Sequence, residues 1–226
     1  MSPIATQPPP SRYAPPSHPP LVRELADGMR VSADLFYALP NKGFELVDGR
    51  VRENEVSLFT STFQFFLLGL IFESVRQCLH LGHPSEAEGG FRCFADPNAV
   101  RKPDFAWIGK DRMPSQVPPT GYPQVAPHFV VEVRSPSDRG EDLSEKVAAY
   151  LAAGVEMVWA IDPESLTAVV HTAAGAERFG AETPLPCPHL PPLRLTLRQV
   201  ATLVEASETT DAPAEPHDDA VDLETP

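Results

Sequence analysis

Glu132 stands inside the apolar run Phe129-Val130-Val131-Glu132-Val133, and Asp104 opens a second one, Asp104-Phe105-Ala106-Trp107-Ile108. Lys146 lies on the first turns of the amphipathic segment running from Glu145 to Val155. A carboxylate inside a buried strand costs several kcal/mol unless something pairs with it or ligates it. Two such acids and a lysine, on elements able to converge, suggest a small divalent-metal site. Mg²⁺ held by one or two carboxylates keeps several waters, polarises phosphoryl oxygens and activates water. A lysine beside it can orient or deprotonate that water and offset developing charge. Glu45, within Phe44-Glu45-Leu46-Val47, is a third acid in apolar surroundings; its alternative is a pairing with Arg50 or Arg52.

Each residue also has a plainer reading. Asp104 after Pro103 suits a turn or strand edge, and Lys146 alone suits a solvated helix face. Glu132 is the exception, since apolar neighbours on both sides leave it requiring a partner. Tyr150, four residues after Lys146 and on the same helical face, reads first as core packing and second as a group positioning Lys146. Trp107 and Trp159 follow strand patterns and read as core, while His128 and His171 read as strand-surface residues.

The elements that must position these groups are legible in outline. Ser32 caps a short helix that Pro40 helps to stop. Gly43–Arg52 reads as two strands joined at Asp48-Gly49, a strong hairpin signal. A helix is expected from about Ser57 to His80, stopping at Gly82, with its phenylalanines in the core. Strands follow near Gly90–Phe94 and Asp104–Ile108. After a proline-rich excursion, Met113 to Pro127, comes the strand His128–Arg134. A helix from about Glu141 to Ala153 stops at Gly154. Glu156–Ile161 and Ala168–His171 read as strands joined by a turn at Asp162-Pro163-Glu164-Ser165, and Leu193–Val204 as a short strand with a closing helix. The order predicts one α/β layered domain.

The chain carries a net charge of −13 with 42% hydrophobic residues, enough for one core. Residues 1–28 are rich in proline and are expected to be disordered, as is the acidic tail 205–226, leaving 29–204 as the folded domain. The tail holds eight acids and no lysine or arginine, and the stretch from Leu21 to Val204 is near −6. An acidic body argues against broad tracking of phosphates, although a local basic cleft around Arg101, Lys102, Arg134, Arg139 and Lys146 remains compatible with it. Cys78, Cys93 and Cys187 are widely spaced and read as buried free thiols of a reducing cytosol. No basic-then-apolar leader opens the chain, and a cytoplasmic location is expected. Val56 to Phe72 is uncharged but short of the ~20 apolar residues of a spanning helix. A buried or dimer-facing helix is therefore expected, not a membrane span.

The succession FELVDG, RKPDFAWI, FVVEVRSPSDR and EKVAAYLAAGVEMVWAID resembles the Uma2 family of restriction-endonuclease-like proteins, over about Val31 to Leu203. That resemblance implies the PD-(D/E)XK nuclease fold, an α/β core with a mixed sheet flanked by helices. It also implies a metal-dependent endonuclease acting on DNA. Asp104 and Glu132 would ligate Mg²⁺ or Mn²⁺ with the backbone carbonyl of Val133, Glu45 would sit at the site edge, and Lys146 would supply the lysine from the following helix. In the general superfamily pattern that lysine lies two residues after the glutamate, where Arg134 stands here. Arginine does not act as a base near neutral pH, since its pKa exceeds ~12, but Arg134 and Arg101 could contact substrate phosphate. Many relatives also carry a histidine early in the long helix, and Asn54-Glu55-Val56-Ser57-Leu58 has none. A homodimer is expected if both strands of a duplex are cut. The rival expectation is a nuclease-fold binding or regulatory protein without catalysis.

Overall fold

A computed structural model describes residues 30–53, 56–114, 121–135 and 140–208. The expectations for residues 1–28, for Arg139 and for the tail beyond Glu208 fall outside the described residues. Helix α1 (Ala33–Ala38) leads into the hairpin β1 (Phe44–Val47) and β2 (Arg50–Glu53). The long helix α2 (Leu58–Cys78) is followed by β3 (Gly82–Glu86), β4 (Phe105–Gly109) and β5 (Phe129–Val133). Helix α3 (Gly140–Ala152), strands β6 (Met157–Asp162), β7 (Thr167–Thr172) and β8 (Gly175–Phe179), and helix α4 (Leu197–Glu208) complete the chain order.

Local chemistry sets several boundaries. The Ser32 hydroxyl accepts from the Leu35 N–H, and that of Ser57 accepts from the Thr60 N–H at 3.1 Å, each capping a helix start. Asp48 and Gly49 both take positive φ, 50° and 73°, which is what a two-residue hairpin turn requires. The chain turns back there, and β1 pairs antiparallel with β2.

Strands β3 to β8 form one mixed sheet in sequence order. All neighbours are antiparallel except β5 and β6, whose parallel pairing is connected through α3. The period of two in a strand then sorts side chains between the sheet's faces. Phe105, Trp107, Phe129, Val131, Val133, Trp159 and Ile161 pack on one face with buried residues of α2 and α4. Ala106, Ile108, Val130, Val158 and Ala160 pack on the other with Val147 and Tyr150 of α3. A third apolar cluster joins α1 to the hairpin through Phe36, Phe44, Leu46 and Val51. Reciprocal backbone hydrogen bonds of 2.9 and 2.8 Å between Leu46 and Val100 dock the hairpin against the segment leading to β4.

Four expectations are corrected. Gly82 does not cap α2; it opens β3, where an added Cβ would collide with the Ile108 carbonyl and the Trp107 ring. Gly90–Phe94 is not a strand, and only Phe91 bridges to Arg101. Residues 193–196 form no strand, although the Leu195 carbonyl accepts from the Leu185 N–H. Finally, the phenylalanines of α2 do not all lie in the core, since Phe65 and Phe72 are exposed. Strands β3 and β8 had no clear sequence signal, being short and polar at the two edges of the sheet. The closing helix continues through Glu205 to Glu208, the first residues of the expected tail.

Candidate active site

Glu132, Asp104, Glu45 and Lys146 converge, and each is buried. The β4–β5 register pairs Phe105 with Val131, so one step further sets Asp104 beside Glu132 on neighbouring strands. Both acids have the parity that faces α3. The backbone N–H of Val133 donates to Asp104 Oδ2 at 2.7 Å, fixing that carboxylate against the end of β5. From α3, Lys146 Nζ lies 3.3 Å from Glu132 Oε2 and 3.6 Å from Glu45 Oε2. Tyr150, one turn further along, donates its hydroxyl to Glu132 Oε1 at 2.7 Å. One helical face thus reaches both oxygens of the strand glutamate.

Glu45 arrives from the hairpin. Its backbone pairs with Arg52 across the turn, yet its carboxylate has other partners. Oε1 accepts from the backbone N–H of Lys102 at 2.9 Å, and Oε2 lies 3.6 Å from Arg101 Nη1 and from Lys146. The Leu46–Val100 docking brings these groups together, since it sets Glu45 alongside Arg101 and Lys102. The pairing with Arg50 or Arg52 considered for Glu45 is replaced by Arg101 and Lys146.

Among the described residues, the cluster holds three carboxylates against two cations, Arg101 and Lys146. Burial and the nearby Glu132 charge push the Asp104 carboxyl up to about 8, despite the Val133 hydrogen bond and Lys146. Burial also raises Glu132, while Lys146 and the Tyr150 hydroxyl act in the opposite sense. The Tyr150 phenol is held well above its ordinary value by burial and by the Glu132 and Glu45 charges. It therefore stays protonated and acts as a donor at neutral pH. The site is short of positive charge.

Neither arginine expected at substrate phosphate is an open surface group. Arg101 is buried on Glu45. Arg134 leaves the cluster: its guanidinium lies 2.9 Å from Asp162 and 3.3 Å from Glu164 at the end of β6. The residue two after the strand glutamate is thus spent on surface ion pairs, and Lys146 stands beside that glutamate instead. Lys102 is buried as well, bonding the Asn41 backbone and side chain and lying 3.0 Å from Glu88.

Two contributions escaped the sequence reading. The Tyr150 bond to Glu132 was foreshadowed only by a phenol on the Lys146 face of an alanine-rich helix. The Lys102 N–H had no signal, because backbone donors are anonymous in a sequence. His128 is also corrected, being buried rather than on the surface. Its Nδ1 accepts from the Gly109 N–H, and its Nε2 faces Asp111 at 3.1 Å. Trp107 and Trp159 lie in the core as expected, and the cysteines are free, two buried and Cys93 half-buried.

Comparison with known proteins agrees with this architecture. A crystal structure of a putative nuclease belonging to DUF820, from Anabaena variabilis ATCC 29413, superposes with a TM-score of 0.64 at 20% identity. The match covers 77% of this chain and 99% of that one, and at such identity it speaks for the fold. No curated protein matches. The family model Uma2, described as "Putative restriction endonuclease", matches residues 33–199, which span the hairpin, all the strands and every member of the carboxylate–lysine cluster. On the extent of that match, the chain belongs to the Uma2 family.

Proposed function

We propose that this protein is a divalent-metal-dependent endonuclease that hydrolyses phosphodiester bonds in DNA. The carrying observation is the excess, among the described residues, of buried carboxylate over cation at Glu45, Asp104 and Glu132. All-oxygen donors of this kind suit a hard cation such as Mg²⁺ or Mn²⁺. Asp104 and Glu132 would hold the ion, and the carbonyl of Val133 is a further candidate donor. Such an ion supplies Lewis-acid stabilisation of phosphoryl charge and activates water.

The remaining work belongs to the chain. Val133 N–H and Tyr150 hydroxyl fix the two carboxylates in orientation, so their lone pairs are presented without reorganisation. Lys146, already 3.3 Å from Glu132, is placed to orient the attacking water and to offset charge on the phosphoryl oxygens. Glu45 holds Lys146 on its other side, and Arg101, paired with the same Glu45 oxygen, limits the pull that Glu45 exerts on the ammonium. Cutting both strands of a duplex would call for two such sites.

A second reading has its own observation. Among the described residues, no three His, Cys, Asp or Glu side chains are gathered closely enough to hold a metal by themselves. Lys146 instead stands between Glu45 and Glu132. On this reading the cluster is a structural ionic knot in a nuclease-fold binding protein.

Nicking of supercoiled plasmid with Mg²⁺ or Mn²⁺ separates the two. The nuclease reading expects metal-dependent nicking that Asp104→Asn abolishes, together with Mn²⁺ binding in calorimetry that the same variant weakens. Intact plasmid and no heat of Mn²⁺ binding at millimolar metal would establish the knot.

A further inference from the structure

The helix α2 presents two unlike sides. Phe63, Leu67, Ile71, Val75 and Cys78 are buried against the sheet and α4. Leu58, Phe65, Phe72 and Leu79 instead stand 84, 72, 57 and 52% exposed. These four are spaced by seven residues, the period of a seam between packed helices. Leu79 continues the line because, as the helix cap, it keeps helical backbone angles. From Leu58 to Leu79 the only charged residues are Glu73 and Arg76.

We propose that this side of α2 docks against the same side of a second copy of the chain, the two helices running antiparallel about a two-fold axis at Leu68–Gly69. The seam reads alike from either end. Antiparallel pairing about that point sets Phe65 against the partner's Phe72 and Leu58 against the partner's Leu79, each contact occurring twice, as an isologous interface demands. Charge selects this direction over the parallel one. In the antiparallel pair Glu73 faces the partner's Gln64 and Arg76 faces the partner's Ser61, with opposed helix dipoles. Parallel pairing would set Glu73 and Arg76 against themselves and align the dipoles.

Shape and area agree. Phe65, Leu68, Gly69 and Phe72 line a groove of about 470 Å³ whose far wall is Pro84 of β3 and Phe105. A Cβ added at Gly69 would meet nothing within 4 Å, so the partner's Leu68 has room there. With 150–250 Å² for a phenylalanine, the exposed seam with Phe59 offers on the order of 500 Å² of apolar surface per copy. Two copies would thus bury roughly 1,000 Å² from these side chains alone, the lower bound of a specific interface. Pro84 lacks an N–H, which disfavours extension of the sheet at its β3 edge and leaves the helix as the docking element. The helix is also long and apolar enough to cross a membrane. A span would have to pull Phe63, Leu67 and Ile71 out of the core, so a second copy is the occupant favoured.

The carboxylate cluster lies on the other face of the sheet, so this inference does not rest on the nuclease reading and its test does not use cleavage. Sedimentation velocity of the full chain over roughly 1–100 µM is expected to give twice the chain mass. Phe65→Lys or Phe72→Glu alone should each weaken association at least ~30-fold. Mixing the two variants should restore a heterodimer, because the new ammonium and the new carboxylate face each other across one half of the seam. Gly69→Cys should form a disulfide-linked dimer under mild oxidation that the parent chain does not form, whatever happens to the charged variants. A monomer throughout with no cross-link, or a dimer that both charged variants leave intact, overturns the proposal. Partition of the parent chain onto phosphatidylcholine vesicles in place of dimerisation assigns the face to lipid and overturns it equally.

Discussion

On the α3 face of the sheet, carboxylates are buried; along the outer side of α2, which packs on the opposite face, phenylalanines stand in water. Each arrangement is unfavourable for the isolated chain, but they are tolerated for different reasons. The acids have partners within the chain: Val133 N–H, Tyr150, Lys146, Arg101 and Lys102 N–H. The aromatic seam has no such set, and nothing among the described residues covers Phe65 or Leu58. Under the proposed function the buried acids take up a small cation, which adds charge without volume. Exposed apolar surface calls for another surface.

The sharpest way to break the first half of this comparison is to remove Lys146. In Lys146→Met, Glu132 and Glu45 lose their shared cation, and stability should fall by about 3–5 kcal/mol in metal-free urea unfolding. If Mn²⁺ occupies the cluster, millimolar Mn²⁺ should recover part of that loss; no recovery argues for the ionic knot. A loss below 1 kcal/mol would show that the acids are protonated or solvated without the lysine.

Asp104→Asn tests the opposite sign. The folded carboxyl titrates near 8, above the ordinary value of 3.8, so the folded state binds the extra proton. The stability associated with that group is fully present below about pH 4 and is lost as pH rises toward 8. The neutral amide, which can still accept from Val133, should raise the metal-free melting temperature, by an amount equivalent to roughly 1–3 kcal/mol at pH 8 and less at pH 5. Equal gains at the two pH values would remove Asp104 as the titrating group.

Tyr150→Phe should cost about 1–2 kcal/mol, because a buried acceptor on Glu132 loses its donor while the ring still packs. Its nicking rate, if there is nicking, should fall through Glu132 orientation with Mn²⁺ affinity reduced in parallel. The smallest effect is expected at Arg134. Its pairs with Asp162 and Glu164 are partly exposed, and Arg134→Ala should change stability by less than about 1 kcal/mol and leave Mn²⁺ affinity unchanged. A large loss of metal binding there would return Arg134 to the site.

Much of the fold was legible because periodicity and punctuation are local. Asp48-Gly49, the Ser32 cap, and the runs Asp104–Ile108 and His128–Arg134 carry their structure in consecutive residues. Strands β3 and β8 did not, since Gly82-His83-Pro84-Ser85-Glu86 and Gly175–Phe179 lack an apolar alternation and exist by pairing with a neighbour. At the site, Glu132 declared itself by its apolar flanks. Tyr150 did not, because a tyrosine facing the core and a tyrosine bonding a buried acid look alike until the acid is placed.

The amino-acid sequence by itself determined that Glu132 must be buried and in need of a partner, and it named Asp104, Glu45 and Lys146 as candidates. Only the tertiary structure decided that Lys146 stands between two of those acids and that Arg134 turns away to Asp162. Only it showed that the apolar helix splits into an inner and an outer side. The physical reason is distance: burial follows from hydrophobic pattern within a few residues, whereas pairing depends on which oxygen and nitrogen atoms the packed strands and helix bring within a few ångströms.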